Sequence, residues 1–263
     1  MRKEIRRAFT SPLFFLSVVV FFVCLQGYAV PAHVAGVLTE PIEYRQNAMM
    51  LTLGGIFFGG VILLLPFCAP MAHAVSQVDD IRSSMLQWAV LRSSVRAFAR
   101  GKIVSCFLAA AASAGIAFAA HTALWHLLAL PYDPALYPEH EIGFWTESFF
   151  SQWSTIHHGL PIFAEIWVGL MFSAGIWAVV ALAAAVWVPD KMLVMTIPAC
   201  IYKFWSSRLF YHLFRVSLPS PDTLFNDAQT VPHILAALAG YAAVLAVSIA
   251  LYYAGLKRRT CYA

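Results

Sequence analysis

The feature that most constrains this chain is a recurrence of apolar blocks, each about as long as a bilayer is thick. A transmembrane helix needs about 20 predominantly apolar residues to cross a hydrocarbon layer of about 30 Å. Six stretches meet that requirement, from Ser11 to Val30, Met49 to Ala69, Ile103 to Leu130, Pro161 to Val188, Met192 to Phe214 and Ile234 to Leu256. The sequence therefore predicts an all-α integral membrane protein, residues 1–263 forming one transmembrane domain of six helices with residues 70–102 as a long connection. Composition agrees: 61% of the 263 residues are hydrophobic and 11% charged, against roughly 25% charged in soluble domains. Too few polar residues remain for a catalytic domain outside the membrane. No nucleotide-binding loop is present either, because Gly101-Lys102 lacks a Gly five residues upstream and a following Ser or Thr.

Basic residues remain preferentially on the cytoplasmic side of a membrane, so their distribution tests the spans and orients them. One set of connections holds Arg2, Lys3, Arg6 and Arg7, then Arg82, Arg92, Arg96, Arg100 and Lys102, then Lys191, and finally Lys257, Arg258 and Arg259. The alternate loops hold Arg45 and Arg215. Both termini are expected in the cytoplasm, and the formal charge of +4 reflects this sorting rather than affinity for nucleic acid. The basic start resembles that of a signal peptide. Its apolar run is about 20 residues long, however, lacks a small-x-small cleavage site and precedes five more spans, so an uncleaved first helix is expected.

Two segments on the basic side carry further information. In the N-terminal stretch, Ile5 and Phe9 share a helical face while Arg2, Lys3, Arg6 and Arg7 lie largely on others. Such a helix lies along the inner interface, as a general anchor or a specific elbow, and Ser11-Pro12 turns the chain into the first span. Between spans two and three, Ser76 to Asp79 resembles a helix-starting pattern. Val78, Ile81, Met85, Trp88, Leu91, Val95 and Phe98 then recur every three or four residues, with Arg92, Arg96 and Arg100 as a second stripe. This predicts an amphipathic helix or helical hairpin that presents a charged edge to a partner or to anionic lipid, or simply anchors the third span.

Inside the spans, Gly55 and Gly59 form a small-xxx-small arrangement suited to close helix approach. Ionisable groups are costly there. Glu165, one turn into span four, and Arg208, near the outer end of span five, are expected to pair, while Lys203 faces a watery cavity or snorkels. These three are the candidate pathway or intramembrane charges. Nine histidines invite a metal hypothesis, but His121 and His126 are five apart and no HExxH repeat occurs. No metal ligands or catalytic residues are assigned. The cysteines, Cys24, Cys68, Cys106, Cys200 and Cys261, lack paired spacings and are expected reduced. Residues 131–160 hold seven aromatic side chains and no Lys or Arg, as expected of an aromatic interfacial cap.

In order along the chain, Arg6-Arg7-Ala8-Phe9-Thr10-Ser11-Pro12, Pro66 to Pro70 leading to Asp79-Asp80, Leu91 to Lys102, Gly175-Ile-Trp177-Ala178 and Pro198-Ala-Cys-Ile-Tyr202 resemble the permease subunits of ABC exporters, the ABC type-2 permease family. The resemblance implies a separate ATPase that binds ATP and Mg, with no cofactor bound by the permease. It also implies a second permease copy, identical or related, and location in a bacterial cytoplasmic membrane. Carried onto this sequence, the elbow helix comprises Arg6, Arg7, Phe9 and Pro12, and the coupling element Asp79, Asp80, Arg82, Trp88, Arg92, Arg96 and Arg100. The implied activity is ATP-driven export by alternating access, without a chemical step in this chain. The alternatives from other classes are a membrane-bound metal-dependent enzyme and a non-transporting anchor or sensor subunit.

Overall fold

A computed structural model of the chain describes residues 2–39, 41, 46–83, 85–92, 94–130, 160–207 and 231–261. The described residues are almost entirely helical. α1 (Arg2–Phe9) ends in a turn at Thr10 and Ser11, and Pro12 opens α2 (Pro12–Thr39). A proline is suited to that first position, because its missing N–H has no partner there in any helix. α3 (Ala48–Phe57) and α4 (Val61–Cys68) follow, then a 3-10 turn (Ala69–Ala72) and the short helices α5 (Ser76–Arg82) and α6 (Met85–Arg92). α7 (Val95–Leu128), α8 (Leu160–Trp187), α9 (Lys191–Trp205) and α10 (Val231–Cys261) complete the described chain.

Among the described residues, five helical stretches are long and apolar enough to cross a membrane: Pro12–Thr39, Val61–Arg82, Val95–Leu128, Phe163–Trp187 and Leu235–Thr260. Two of the six expected blocks are not seen as single long helices among the described residues. The second block, Met49 to Ala69, is not one helix: it breaks at Phe58 to Gly60, where Gly60 takes the left-handed φ of 77°. Only glycine adopts that conformation without a steric cost. The fifth block, Met192 to Phe214, is described as a 15-residue helix, which spans roughly 22 Å at 1.5 Å per residue. Residues 131–159 and 208–230, which include the last part of that block, lie outside the described residues.

α7 and α8 form the centre. α7 packs against α1, α2 and α3 on one side and α8 on the other, and α8 packs against α9 and α10. The 3-10 turn sits at one end among α2, α7 and α8, which its small residues Ala69 and Ala72, both fully buried, permit. Trp177, Tyr202, Trp205 and Tyr241 make an aromatic cluster between α8, α9 and α10, with Tyr241 and Ser173 sharing a hydroxyl hydrogen bond of 2.9 Å. The outer helices are apolar on their exposed faces too: Phe15, Val19 and Val23 of α2 and Val247 and Leu251 of α10 are all about half exposed or more. Helices that are apolar all round belong inside a protein or a membrane, and faces of this extent suit lipid rather than water.

Candidate functional site

The helix breaks around residues 70–94 bring charged side chains from three elements together. The periodic stripe from Val78 to Phe98 predicts an amphipathic helix or a helical hairpin. The described stripe is divided among three helices: α5 ends at Ser83, α6 covers Met85–Arg92, and α7 begins after Ser94, whose hydroxyl accepts the Ala97 N–H as its cap. Met85 and Trp88 point outward at 54% and 62% exposure, while Val78 and Leu86 are buried. The Ser76 pattern does start a helix, but its hydroxyl donates back to the His73 carbonyl, 2.7 Å, instead of capping α5.

α5 turns Gln77, Val78 and Asp80 inward. On α7 the buried stripe runs Phe98, Ala99, Lys102, Ser105 and Cys106, so Lys102 is a fully buried cation. Its Nζ lies 2.6 Å from Asp80 Oδ2, donates to Ser76 Oγ at 3.0 Å and lies 3.5 Å from Glu4 Oε2. Arg7 Nη2 holds the other oxygen, Asp80 Oδ1, at 2.7 Å. Asp80 is thus clamped by one cation from α1 and one from α7, and Glu4 completes a group of two carboxylates and two cations. Such balance matters, because an unpaired charge at this depth costs several kcal/mol.

Electrostatics within the cluster follow from these contacts. His73, then Lys102 and Arg7, hold the Glu4 carboxyl down to about 2 against the opposing effect of burial. The Asp80 hydrogen bond raises the Arg7 guanidinium above its ordinary value. Both partners approach the same oxygen, Lys102 Nζ at 3.5 Å and His73 Nε2 at 3.7 Å from Glu4 Oε2. From α10, the Tyr252 hydroxyl donates to Gln77 Oε1 at 3.3 Å, which ties the last helix to α5.

The surface of the same end carries weaker bonds. Lys191 pairs with Asp79 at 2.7 Å, and Arg82 donates to the Pro189 carbonyl and lies 3.8 Å from Asp190. Asp190 in turn caps α9 by accepting from Met192 and Leu193. Arg259 donates to the Val186 carbonyl. The N-terminal helix, α5, the α8–α9 connection and the C-terminal turns therefore gather at one end of the bundle.

Of the expected coupling residues, Asp79, Arg82, Trp88, Arg96 and Arg100 are exposed, and the Arg92 side chain lies outside the described side chains. Asp80, by contrast, is only 3% exposed and its carboxylate faces the interior. In the elbow, Arg6 is exposed and Phe9 packs on Phe14 with ring centroids 5.1 Å apart. Glu165 is half-buried on α8 and Lys203 exposed on α9; among the described residues neither is in an ion pair, and Arg208, its expected partner, lies outside them. Also among the described residues, no group of three or more His, Cys, Asp or Glu side chains could hold a metal ion.

Glu4, His73, Ser76 and Lys102 belong to the cluster but are not among the site residues expected from the sequence. A signal for Lys102 was present: it is the one charged member of the stripe Val95, Phe98, Ala99, Ser105 and Cys106. A second polar node was also missed, nearer the opposite end. Trp125 Nε1 donates to Gln26 Oε1 at 3.2 Å, so the Gln26 amide nitrogen faces His121 Nδ1 at 3.1 Å, and His121 Nε2 reaches the Thr52 carbonyl at 3.3 Å. This direction of bonding fixes His121 as a neutral ring protonated on Nε2. Gly55 makes room for it, since a Cβ there would lie 2.6 Å from the imidazole.

The chain matches no protein-family model, no curated protein and no solved structure.

Proposed function

We propose that this chain is the membrane-spanning subunit of an ATP-driven exporter whose ATPase is a separate polypeptide. The observation that carries the reading is the double clamp on Asp80. Because Arg7 and Lys102 both hold that carboxylate, a force applied to α5 reaches the N-terminal elbow and the start of α7 together. Meanwhile Asp79, Arg82 and Trp88 stay on the surface, where a partner can grip them. A rigid buried joint beneath an exposed docking edge is what a transmission element requires, since packed interiors pass displacement on with little compression.

In this reading the elbow is α1 and the coupling element is α5 with α6. ATP and Mg bind the partner ATPase, and its closure alters the docking free energy on the coupling edge. That difference shifts the permease, paired with a second identical or related copy, between inward-open and outward-open packings. The chain itself carries no chemical step. It resides in a bacterial cytoplasmic membrane with both termini in the cytoplasm, an orientation supported by the concentration of basic residues at the end that holds α1 and the C-terminus. The test is ATPase stimulation in liposomes containing permease and ATPase. Asp79→Lys with Arg82→Glu, both on the surface, should reduce stimulation at least several-fold while the subunit still inserts and elutes as a folded species. Full stimulation by that variant would remove the proposed docking edge.

A further inference from the structure

Away from the ion cluster, α8, α9 and α10 border an apolar groove of about 470 Å³, within the range of about 300–1,000 Å³ that holds small molecules. Ala183 and Ala184 keep it deep, and Val180, Ile197, Val247 and Leu251 form its sides. The polar groups of its lining side chains are already used: the Ser248 hydroxyl donates to the Val244 carbonyl of its own helix at 2.7 Å, and the Trp187 ring N–H to the Leu251 carbonyl. The interior therefore offers hydrocarbon contact and no hydrogen bonds. It opens where Val247 and Leu251 are exposed, on the flank that faces the bilayer.

At one end the chemistry changes. Trp187 Nε1 donates to the Leu251 carbonyl at 3.2 Å and closes the groove. Gly255 allows this approach, because a Cβ there would lie 2.7 Å from Val186 and 3.1 Å from the Trp187 ring nitrogen. The Arg258 guanidinium then lies over the Trp187 ring, 5.8 Å from its centroid. Lys257 and Arg258 are exposed, and among the described residues no carboxylate lies within ion-pair distance of either. From Leu251 to Arg258 is seven residues, roughly 10 Å along the helix. An apolar slot thus leads within two turns to uncompensated positive charge, at the level where α10 leaves its apolar segment.

We propose that this groove binds an anionic phospholipid of the surrounding bilayer, with one acyl chain in the slot and the phosphate on Lys257 and Arg258. A zwitterionic lipid or an apolar helix could fill the slot but would not neutralise the cations. An anionic headgroup does both. Each basic side chain near anionic lipid contributes about 1 kcal/mol, which corresponds to a preference of roughly five-fold per residue.

The test uses the full chain in vesicles of phosphatidylcholine with about one-quarter phosphatidylglycerol, the proportion being set to keep the headgroup effect near that five-fold range. One lipid class at a time carries brominated acyl chains, and the difference between wild type and Trp187→Phe isolates quenching of Trp187. Phosphatidylglycerol should quench that signal at a mole fraction at least about five-fold lower than phosphatidylcholine. Lys257→Gln with Arg258→Gln should abolish the preference. So should about 1 M salt on the wild type, where screening shrinks to about 3 Å, which keeps the test decisive if the variant misfolds. Ala184→Leu, on the groove floor, should weaken quenching by both lipids. Equal quenching by the two lipids in wild type, a preference that survives charge removal or salt, or no effect of filling the groove would each overturn the assignment.

Discussion

Replacing Lys102 by methionine tests the ion cluster most sharply, because methionine keeps most of the side-chain volume and removes only the charge. Three contacts disappear: Asp80 at 2.6 Å, Ser76 at 3.0 Å and Glu4 at 3.5 Å. Removing one partner of a buried pair costs about 3–5 kcal/mol, mostly through the charge left behind. Here Arg7 still holds Asp80 at 2.7 Å, and Glu4 keeps about a quarter of its side-chain surface exposed, so the lower end, about 3 kcal/mol, is expected. Adding Asp80→Asn should return part of that loss, since it removes the stranded carboxylate, and the two changes should be non-additive by about 1–3 kcal/mol. Arg82→Ala is the control. Its 3.8 Å contact to Asp190 joins two side chains that are each about half exposed, and such a pair is worth less than about 1 kcal/mol. The assay is unfolding by sodium dodecyl sulfate in mixed micelles, followed by helical circular dichroism. A Lys102→Met variant within about 0.5 kcal/mol of wild type, the range of unremarkable surface changes, would refute the joint.

Two further outcomes follow from the same geometry. Glu4 has its pKa lowered from 4.5 to about 2 by His73, Lys102 and Arg7, so its carboxylate stabilises the docked α1 fully above about pH 4.5, and that contribution fades as pH falls toward 2. Allowing for its partial exposure, the contribution is on the order of 2 kcal/mol; the stability advantage of wild type over Glu4→Gln should shrink steadily between pH 5 and 3, and an advantage independent of pH over that window would contradict the assignment. Gly55→Ala should cost about 1–3 kcal/mol, because the added methyl meets both the His121 ring and the Leu25 carbonyl at 2.6 Å. Combining it with His121→Ala should not restore stability, since the carbonyl remains; recovery in thermal unfolding would show that the ring alone sets the constraint.

Block length and charge made much of the architecture legible. The blocks starting at Ser11, Ile103, Pro161 and Ile234 each contain a long helix, and Pro12 marks the α1 to α2 turn where its backbone chemistry places it. The break in the second block was harder to read. Gly54, Gly55, Gly59 and Gly60 suggest close packing, but hydropathy averages over the left-handed residue that interrupts the helix. The ion cluster was legible only in fragments, because its partners lie far apart in sequence: Lys102 meets Asp80 across 22 residues and Tyr252 meets Gln77 across 175. The family resemblance placed Asp79 and Asp80 together in the coupling element, without distinguishing them. Adjacent helical positions differ by about 100°, and the packing of α5 against α8, with Lys102 and Arg7 reaching Asp80 from its inner side, decides which of the two turns inward.

The most direct measurement is a mild-detergent pull-down of the tagged full chain from its native host, with quantitative mass spectrometry and ATPase activity of the eluate. A nucleotide-binding subunit in stoichiometric amount, depleted when Asp79→Lys, Arg82→Glu and Trp88→Ala are combined but retained with Lys203→Gln, is the result the account predicts. Recovery of the chain alone, or with a partner that hydrolyses no ATP, would contradict it.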